Sequence, residues 1–327
     1  MSYAIPILLI VWRRPHTLRQ VIDALRPVAP SLLYVACDGP NPERQGEATK
    51  VAATRQVIEE EIDWTCQINK FYSDVNNGCR LGVTRAINWF FEHVEEGIIL
   101  EDDCVPHTDF FSYCASLLER YRWDSRVWGI CGSNFQLGNR RGNASYYFSI
   151  HGDSWGWATW RRCWIHYRND TEQWDRVCQQ GVLKNIFSNP HEVDYWSHTL
   201  DTLFRQGLPD TWDYQWWLTS WCNHGLHAWP NTCLVSNVGF DRDATHTFGL
   251  NSFLNAKLQE LGPITHPQFV LPDRHADDFA FMHRRGGLEM IERKKFRYLY
   301  PFFARLRKLK HQGLRQYLKN IKSKYTP

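Results

Sequence analysis

The sequence predicts an α/β fold with a Rossmann-like, mostly parallel central sheet flanked by helices. The first observation is that apolar runs of strand length alternate with segments of helical spacing over the first hundred residues, the pattern of a doubly wound sheet. The second is that the first and the fourth of these runs are apolar, as in strands buried on both faces. A third observation concerns the ligand of such a sheet. No G-x-G-x-x-G follows the first run, so the dinucleotide-binding fingerprint is absent.

Each element of this alternation has a local signal. Strand-like runs end at polar or turn-forming residues, and helical segments place apolar side chains three and four residues apart. The predicted strands are 4–12, 32–37, 65–72 and 97–100, and the predicted helices between them are 16–25, 47–62 and 83–94. Further on, the predicted elements are helices over 110–121, 193–204 and 210–221 and strands over 127–132 and 234–235. Residues 151–160, rich in Gly and Trp, predict a loop lined with rings.

Charge divides the chain into an acidic body and a basic tail. Residues 284–327 hold 14 Lys and Arg against 2 acids, whereas the rest holds 24 against 33. Cations interleaved with apolar and aromatic residues predict a helical tail that contacts an anionic surface, such as a membrane. The alternative is that this tail packs on the catalytic domain or on another subunit. No nucleic-acid-binding motif accompanies the charge, so nucleic acid is not expected as a partner.

Cysteine usage and the N-terminus predict where the protein resides. The ten cysteines include no C-x-x-C and no zinc-like spacing, which predicts reduced thiols in the cytosol. The apolar N-terminal run precedes its positive charges, unlike a signal peptide, and no run is long enough to span a membrane. We therefore expect a cytoplasmic protein, with peripheral attachment to the inner face of the plasma membrane if the tail binds lipid.

Three consecutive carboxylates, Glu101, Asp102 and Asp103, directly follow the fourth predicted strand. In open α/β sheets, ligands bind outside the carboxyl ends of the strands, which is where these acids fall. Oxygen donors of this kind suit Mn²⁺ or Mg²⁺ shared with substrate phosphates. The alternative is a solvated acidic turn before the helix that begins near Thr108.

The order of these motifs over residues 4–250 resembles the GT-A glycosyltransferases, in particular bacterial enzymes related to N-acetylglucosaminyltransferase I and family-2-like enzymes. The resemblance implies a GT-A catalytic domain over 1–283, with a nucleotide-sugar half (1–105) and an acceptor half (106–283). Glu101, Asp102 and Asp103 correspond to the DxD motif of that family. By this resemblance Asp103 is the direct metal ligand, and Glu101 and Asp102 contact ribose or metal-bound water.

The resemblance also assigns the remaining site residues. Asp38 and Gly39 match the segment that meets the nucleobase. Residues that match positions closing around the nucleotide and diphosphate are Arg13, Asn77, Gly78 and Arg80. The segment around Trp155 and Trp157 resembles the glycine loop beside donor and acceptor, Asp213 the catalytic acid of the xED motif, and His246 the metal-binding histidine near the C-terminus.

These residues together predict a metal-dependent glycosyltransferase of the hexosyltransferase type. It would use a nucleotide-diphospho-sugar as donor, a UDP-sugar being the first candidate, and a glycan or lipid-linked molecule as acceptor. An inverting transferase needs one base for the acceptor hydroxyl, and Asp213 is the candidate. Asp210-x-x-Asp213 is also a capping-box-like helix start, and His246 also suits an ordinary loop histidine. A metal-dependent nucleotidyltransferase and a non-catalytic sugar- or nucleotide-binding protein are the alternative functions.

Overall fold

The computed structural model describes residues 3–239 and 257–295, with side chains to residue 292. The first half contains β1 (Ile7–Val11), α1 (Pro15–Leu25), β2 (Leu32–Cys37), α2 (Glu47–Glu61), β3 (Gln67–Tyr72), α3 (Gly78–His93), β4 (Glu96–Glu101) and β5 (Cys104–Pro106). The second half contains α4 (Thr108–Tyr121), β6 (Val127–Cys131), β7 (Tyr146–Ser149), β8 (Trp157–Trp160), α5 (Arg161–Trp164), α6 (Thr171–Gln179), α7 (Val182–Ile186), α8 (Pro190–Gln206), α9 (Asp213–Cys222), β9 (Leu226–Pro230), β10 (Val235–Asn237), α10 (Arg274–Arg284) and α11 (Gly287–Lys295).

One mixed sheet of eight strands carries the fold, in the order β3-β2-β1-β4-β8-β6-β9-β7. The first four strands in this order are mutually parallel, and β6 and β9 run in the same direction, whereas β8 and β7 are antiparallel to their neighbours. The predicted α/β fold with a mostly parallel central sheet is therefore confirmed. A separate two-stranded ladder joins β10 to β5.

The register of the parallel strands places their carboxyl ends at one edge of the sheet. Ile10 of β1 pairs with Ala36 of β2 on one side and with Glu101 of β4 on the other. The residues that follow these positions, among them Arg13, Asp38 and Asp102, therefore emerge at the same edge. This convergence is what a ligand site at strand ends requires.

The second half differs from the sequence prediction at residues 151–160. The Trp157–Trp160 segment is a central strand, because its four side chains are all buried and it pairs with both β4 and β6. Eleven of the sixteen tryptophans are buried, so the surplus of Trp mainly builds the core of this half. One cluster stacks Trp157 on Trp212, with ring centroids 5.5 Å apart.

The predicted domain boundary at 283/284 falls at the end of α10. Phe281 in this helix is 1% exposed, and the Arg284 guanidinium pairs with Asp153 at 2.8 Å. The first two residues assigned to the tail are thus packed against the body. Residues 296–327, which hold most of the predicted tail, lie outside the described residues, as does His246. None of the helices described is long and apolar enough to cross a membrane.

Candidate active site

A cleft of about 380 Å³ opens at the carboxyl edge of the parallel strands. Its walls combine apolar side chains from β1 to β3 with arginines and carboxylates from the loops that follow. A volume of this size is in the range of small-molecule sites. The lining residues that carry charge are Arg13, Arg14, Asp38, Arg44, Arg85, Glu101, Asp102 and Asp210.

Two of the three consecutive acids, Asp102 and Asp103, share one guanidinium, that of Arg14. Arg14 Nη2 lies 2.5 Å from Asp102 Oδ1, and its Nη1 lies 2.8 Å from Asp103 Oδ2. The backbone N–H of Trp12 also donates to Asp102 Oδ2 at 3.0 Å. Burying carboxylates without partners is costly, so Arg14 and this amide make the cluster tolerable. Asp102 and Asp103 are accordingly buried.

Glu101 is the member of the cluster with which Arg14 forms no ion pair. None of the described residues donates a hydrogen bond to it, and it lines the cleft. Burial raises the pKa of Glu101 to about 8, and the charge of Asp103 adds to the rise, whereas Arg14 lowers it. Burial likewise raises the pKa of Asp102 to about 6 against the opposing effect of Arg14. The cluster therefore favours a bound cation, which would release these protons.

Gly239 borders the same cluster from the end of β10. A Cβ atom at this position would lie 2.0 Å from Asp103 Oδ2 and 2.6 Å from Arg14 Nη1, so no larger residue fits without displacing them. The backbone N–H of Val238 donates to the Asp103 carbonyl at 2.8 Å. Sequence reasoning missed Gly239, because nothing in its local sequence distinguishes it from a loop glycine.

Asp38 and Gly39 shape the cleft rather than present free groups to it. Both carboxylate oxygens of Asp38 accept hydrogen bonds from Asn77, at 2.7 Å from the backbone N–H and 2.6 Å from Nδ2. The Gly39 carbonyl accepts from Trp12 Nε1 at 3.0 Å, and a Cβ here would lie 2.5 Å from the Val75 nitrogen. Asp38 and Asn77 thus hold the loop after β3 beside the loop after β2. Their predicted contacts with a nucleotide remain predictions.

The start of α3 is organised by Asp210, a residue from the second half of the chain. Asp210 Oδ2 accepts from the Cys79 N–H at 2.9 Å, and Gly78 adopts a positive φ of 78° with Asp210 directly against it. Arg80 lies 3.8 Å from Asp210 and does not line the cleft. The cation that α3 presents to the cleft is instead Arg85, which donates to Asn77 Oδ1 at 2.7 Å.

The predicted cation Arg13 does line the cleft, beside Arg14 and Arg44, which sequence reasoning missed as it missed Arg85. Arg13 stacks over the Trp12 ring at 4.6 Å and lies 3.4 Å from Glu47. Arg14 and Arg44 line the cleft with it. The run Arg13-Arg14 gives no signal for which side chain meets the acids. Arg44, in the loop before α2, has no local pattern either.

Asp213 is the first residue of α9. Its Oδ1 accepts from the Thr211 hydroxyl and, at 3.1 Å, from the Tyr214 N–H, whereas Oδ2 accepts no hydrogen bond from the described residues. Burial raises the pKa of Asp213, while the Thr211 hydrogen bond and the Arg285 charge lower it. The Asp213 charge in turn raises the pKa of Glu101 and of the Cys79 thiol, which both line the cleft. Asp213 therefore lies close to this end of the cleft and also occupies a helix start.

The two predicted acceptor residues differ in exposure. Trp157 is 2% exposed and packs among Trp164, Trp212 and Trp216, so its ring offers no face to an acceptor. Its assignment to an acceptor site is therefore corrected to a core role. Trp155 is half-buried, packs edge-on against Phe135, and remains a candidate.

The donor set at the cleft fits a hard divalent cation. No group of three His, Cys, Asp or Glu side chains gathers in a metal-binding arrangement within residues 3–239 and 257–292. Glu101, which lines the cleft, and Asp103, whose Oδ2 pairs with Arg14, nevertheless offer two carboxylates as oxygen ligands. Mg²⁺ is commonly held by one or two carboxylates, with substrate phosphates and water completing its shell. The two carboxylates therefore suit a divalent ion that binds together with a phosphate-bearing substrate.

Comparison with known proteins found no matching family model and no matching curated protein. Solved structures align with about half of the chain. HddC from Yersinia pseudotuberculosis is 9% identical over 48% of this chain and 77% of its own, with a TM-score of 0.31. S. aureus TarS 1–349 is 10% identical over 49% of this chain and 47% of its own, with a TM-score of 0.34.

A third aligned protein is from Bacillus anthracis and was assigned as a glucose-1-phosphate thymidylyltransferase, in complex with a sucrose. It is 8% identical over 50% of this chain and 74% of its own, with a TM-score of 0.29. At these scores the alignments carry no argument about function. The residues of the cleft are therefore the basis for any assignment.

Proposed function

We propose that this protein is a metal-dependent, inverting glycosyltransferase that moves a sugar from a nucleotide-diphospho-sugar to a glycan or lipid-linked acceptor. A UDP-sugar is the first candidate for the donor. The observation that carries the proposal is the pairing of charges in the cleft. Glu101, which accepts no hydrogen bond from the described residues, lines the cleft together with four arginines, and the charge of Asp213, whose Oδ2 accepts no hydrogen bond from the described residues, acts on it. This is the arrangement that a cation, a diphosphate and an acceptor hydroxyl would need.

The donor half of the cleft suits a nucleotide. Apolar side chains such as Val11, Phe71 and Val83 line it and would bury a base, as ligand sites usually do. Arg13, Arg44 and Arg85 would neutralise the diphosphate, since guanidinium groups match phosphate oxygens bidentately. Stabilising the charge that develops on the departing diphosphate is the main demand of such a transfer.

Glu101 and Asp103 would hold Mn²⁺ or Mg²⁺, with His246 as a further predicted ligand. The ion supplies Lewis-acid stabilisation of the leaving diphosphate when it is bound. Arg14 holds Asp102 and Asp103 in place, so the cluster keeps its form before the substrate arrives.

Asp213 would accept the proton of the acceptor hydroxyl. Its Oδ1 is fixed by Thr211 and the Tyr214 N–H, which leaves Oδ2 to face the substrate. A raised pKa suits a general base, because catalytic groups work best with a pKa near the operating pH. Trp155 would contribute a ring face to the acceptor. Attachment of the basic tail to an anionic membrane would bring the enzyme to a lipid-linked acceptor.

The test is hydrolysis of a panel of nucleotide sugars by the full chain with Mn²⁺, scored by release of the nucleoside diphosphate. We expect release with at least one donor, its loss in EDTA, and its loss in Glu101→Gln. Release of pyrophosphate from a nucleoside triphosphate and a sugar 1-phosphate would instead identify a nucleotidyltransferase. Nucleotide-sugar binding without turnover of any donor would identify a binding protein.

A further inference from the structure

Arg285, at the end of α10, is a cation held by aromatic rings. Its guanidinium carbon lies 4.4 Å from the ring centroid of Trp217, 5.1 Å from Trp196 and 5.9 Å from Tyr214. Rings of this kind attract a cation through their electron-rich faces. They do not satisfy its five N–H donors, and none of the described residues accepts a hydrogen bond from this guanidinium.

The preceding residue, Arg284, provides an internal comparison. Its guanidinium carbon also lies over a ring, 3.4 Å from the centroid of Phe135, but its Nη2 donates to Asp153 Oδ1 at 2.8 Å. Asp153 is itself fixed by the Ser133 hydroxyl. Arg284 therefore has its anion within the protein, whereas Arg285 has rings around it and no carboxylate of the described residues bonded to it.

Arg285 lies beside Asp213. Burial raises the pKa of Asp213 and the Arg285 charge lowers it, whereas burial lowers the pKa of Arg285 and its acidic neighbours, Tyr195 and Tyr214 before Asp213 and Asp153, raise it. Arg284 extends over the ring of Trp155 at 5.4 Å. The two arginines thus lie between the residue proposed as the base and the ring proposed to contact the acceptor.

A small cavity lies against both arginines, and neither Asp213 nor Trp155 is among the residues that line it. Arg284, Arg285 and Gly152 line a cavity of about 20 Å³, close to the room that one water molecule needs. A sugar ring does not fit there, but one oxygen of a substituent on the ring would. A carboxylate or phosphate is the substituent that unfilled guanidinium donors favour.

We propose that Arg285 binds an anionic group, carboxylate or phosphate, of the acceptor, and so selects acidic acceptors over neutral ones. The inference rests on the proposed transferase function, because it is the acceptor of that reaction that Asp213 would activate. Guanidinium binds such groups through two parallel hydrogen bonds, which fixes the orientation of the acceptor as well as its affinity.

The experiment measures the binding of three monosaccharides to the full chain by saturation-transfer NMR titration. The probes are glucuronate, glucose 6-phosphate and methyl glucoside, which carry a carboxylate, a phosphate and no charge. We expect at least one anionic probe to bind about tenfold or more tightly than methyl glucoside, as a charge-assisted hydrogen-bonded pair allows. Preference for glucuronate or for glucose 6-phosphate tells which anion the site takes.

Variants connect that preference to Arg285. Arg285→Gln should reduce the affinity of the anionic probes to that of methyl glucoside. Arg285→Lys keeps the charge but loses the paired N–H donors of the guanidinium, so it should give an intermediate affinity. The control is Arg176→Gln, which removes an exposed cation paired only with Glu172 and should leave all three affinities unchanged. Equal binding of the three probes by the wild type, or an unchanged preference in both Arg285 variants, would overturn the proposal.

Hydrolysis of nucleotide sugars by the wild type tests the transferase assignment separately. If no donor is hydrolysed but the Arg285-dependent preference holds, the anion site stands and the transferase proposal fails. If donors are hydrolysed and no preference is found, the acceptor is not anionic and the transferase proposal stands. If Arg285→Gln does not fold, as judged by its melting temperature, the comparison of wild type with Arg285→Lys still decides the question.

Discussion

Replacing Arg14 by Met would remove the one guanidinium that two buried carboxylates share. The Arg14 side chain is 12% exposed, and those of Asp102 and Asp103 are 3% and 8% exposed. Removing one partner of a buried ion pair typically costs about 3–5 kcal/mol, because the remaining charge is left without compensation. We expect Arg14→Met to lose free energy of unfolding in that range at pH 8.

The size of this loss should depend on pH through Asp102. Burial raises the pKa of Asp102 from its ordinary 3.8 to about 6, while Arg14 lowers it. Removing Arg14 therefore raises the folded-state pKa further, and the folded variant keeps this proton to a higher pH. A group with a raised folded-state pKa contributes stability at low pH that is lost as the pH rises through that pKa. The penalty of Arg14→Met should thus be smaller at pH 5 than at pH 8.

The measurement is urea unfolding of the wild type and Arg14→Met without added metal, at pH 5 and pH 8. Arg126→Met is the matched control, since it breaks the exposed pair of Arg126 with Asp124, and such pairs contribute about 0–1 kcal/mol. The reasoning is refuted if Arg14→Met costs no more than Arg126→Met at pH 8, or if its cost is equal at the two pH values.

Three further predictions concern metal, base and tail. Asp103→Asn should abolish the rise in melting temperature that Mn²⁺ and UDP together produce in the wild type, since only a ligand bound to the native state stabilises it; an unchanged rise would remove Asp103 from the metal site. Asp213→Asn should slow transfer by about 10²–10⁴-fold with UDP affinity little changed; a loss of stability that matches the loss of activity would favour a capping role instead. The full chain should sediment with anionic vesicles at low salt and a chain ending after Lys295 should not; sedimentation of neither would assign the tail to packing.

The alternation of strands and helices in the first half was predictable because its signals are local. β1, β2 and β4 are short, largely apolar runs, and a parallel order follows from the helices between the strands. The position of β8 was not predictable in this way. Trp157 to Trp160 pairs between β4 and β6, and only contacts distant in sequence make this Gly- and Trp-rich segment a strand. Missing that strand is what placed Trp157 at an acceptor site.

The acidic end of β4 was located correctly at the carboxyl edge of the sheet, but the side chain that meets it was not. Arg13 and Arg14 are adjacent and identical, and successive side chains at a strand end point to opposite sides. Arg14 turns to Asp102 and Asp103, whereas Arg13 stacks on Trp12. Composition cannot distinguish the two residues, because the difference lies in which side chain points at the acids.

The same limit applies at the start of the basic tail. By composition, Arg284 and Arg285 are the first two charges of a segment that reads as a surface for anions. In the folded chain Arg284 is neutralised by Asp153, and Arg285 is enclosed by Trp196, Tyr214 and Trp217. Neither side chain is therefore free to meet a membrane, so any lipid-binding charge must begin further along the chain. A change in charge along a sequence marks a change in composition, and the packing of individual side chains decides where the domain ends.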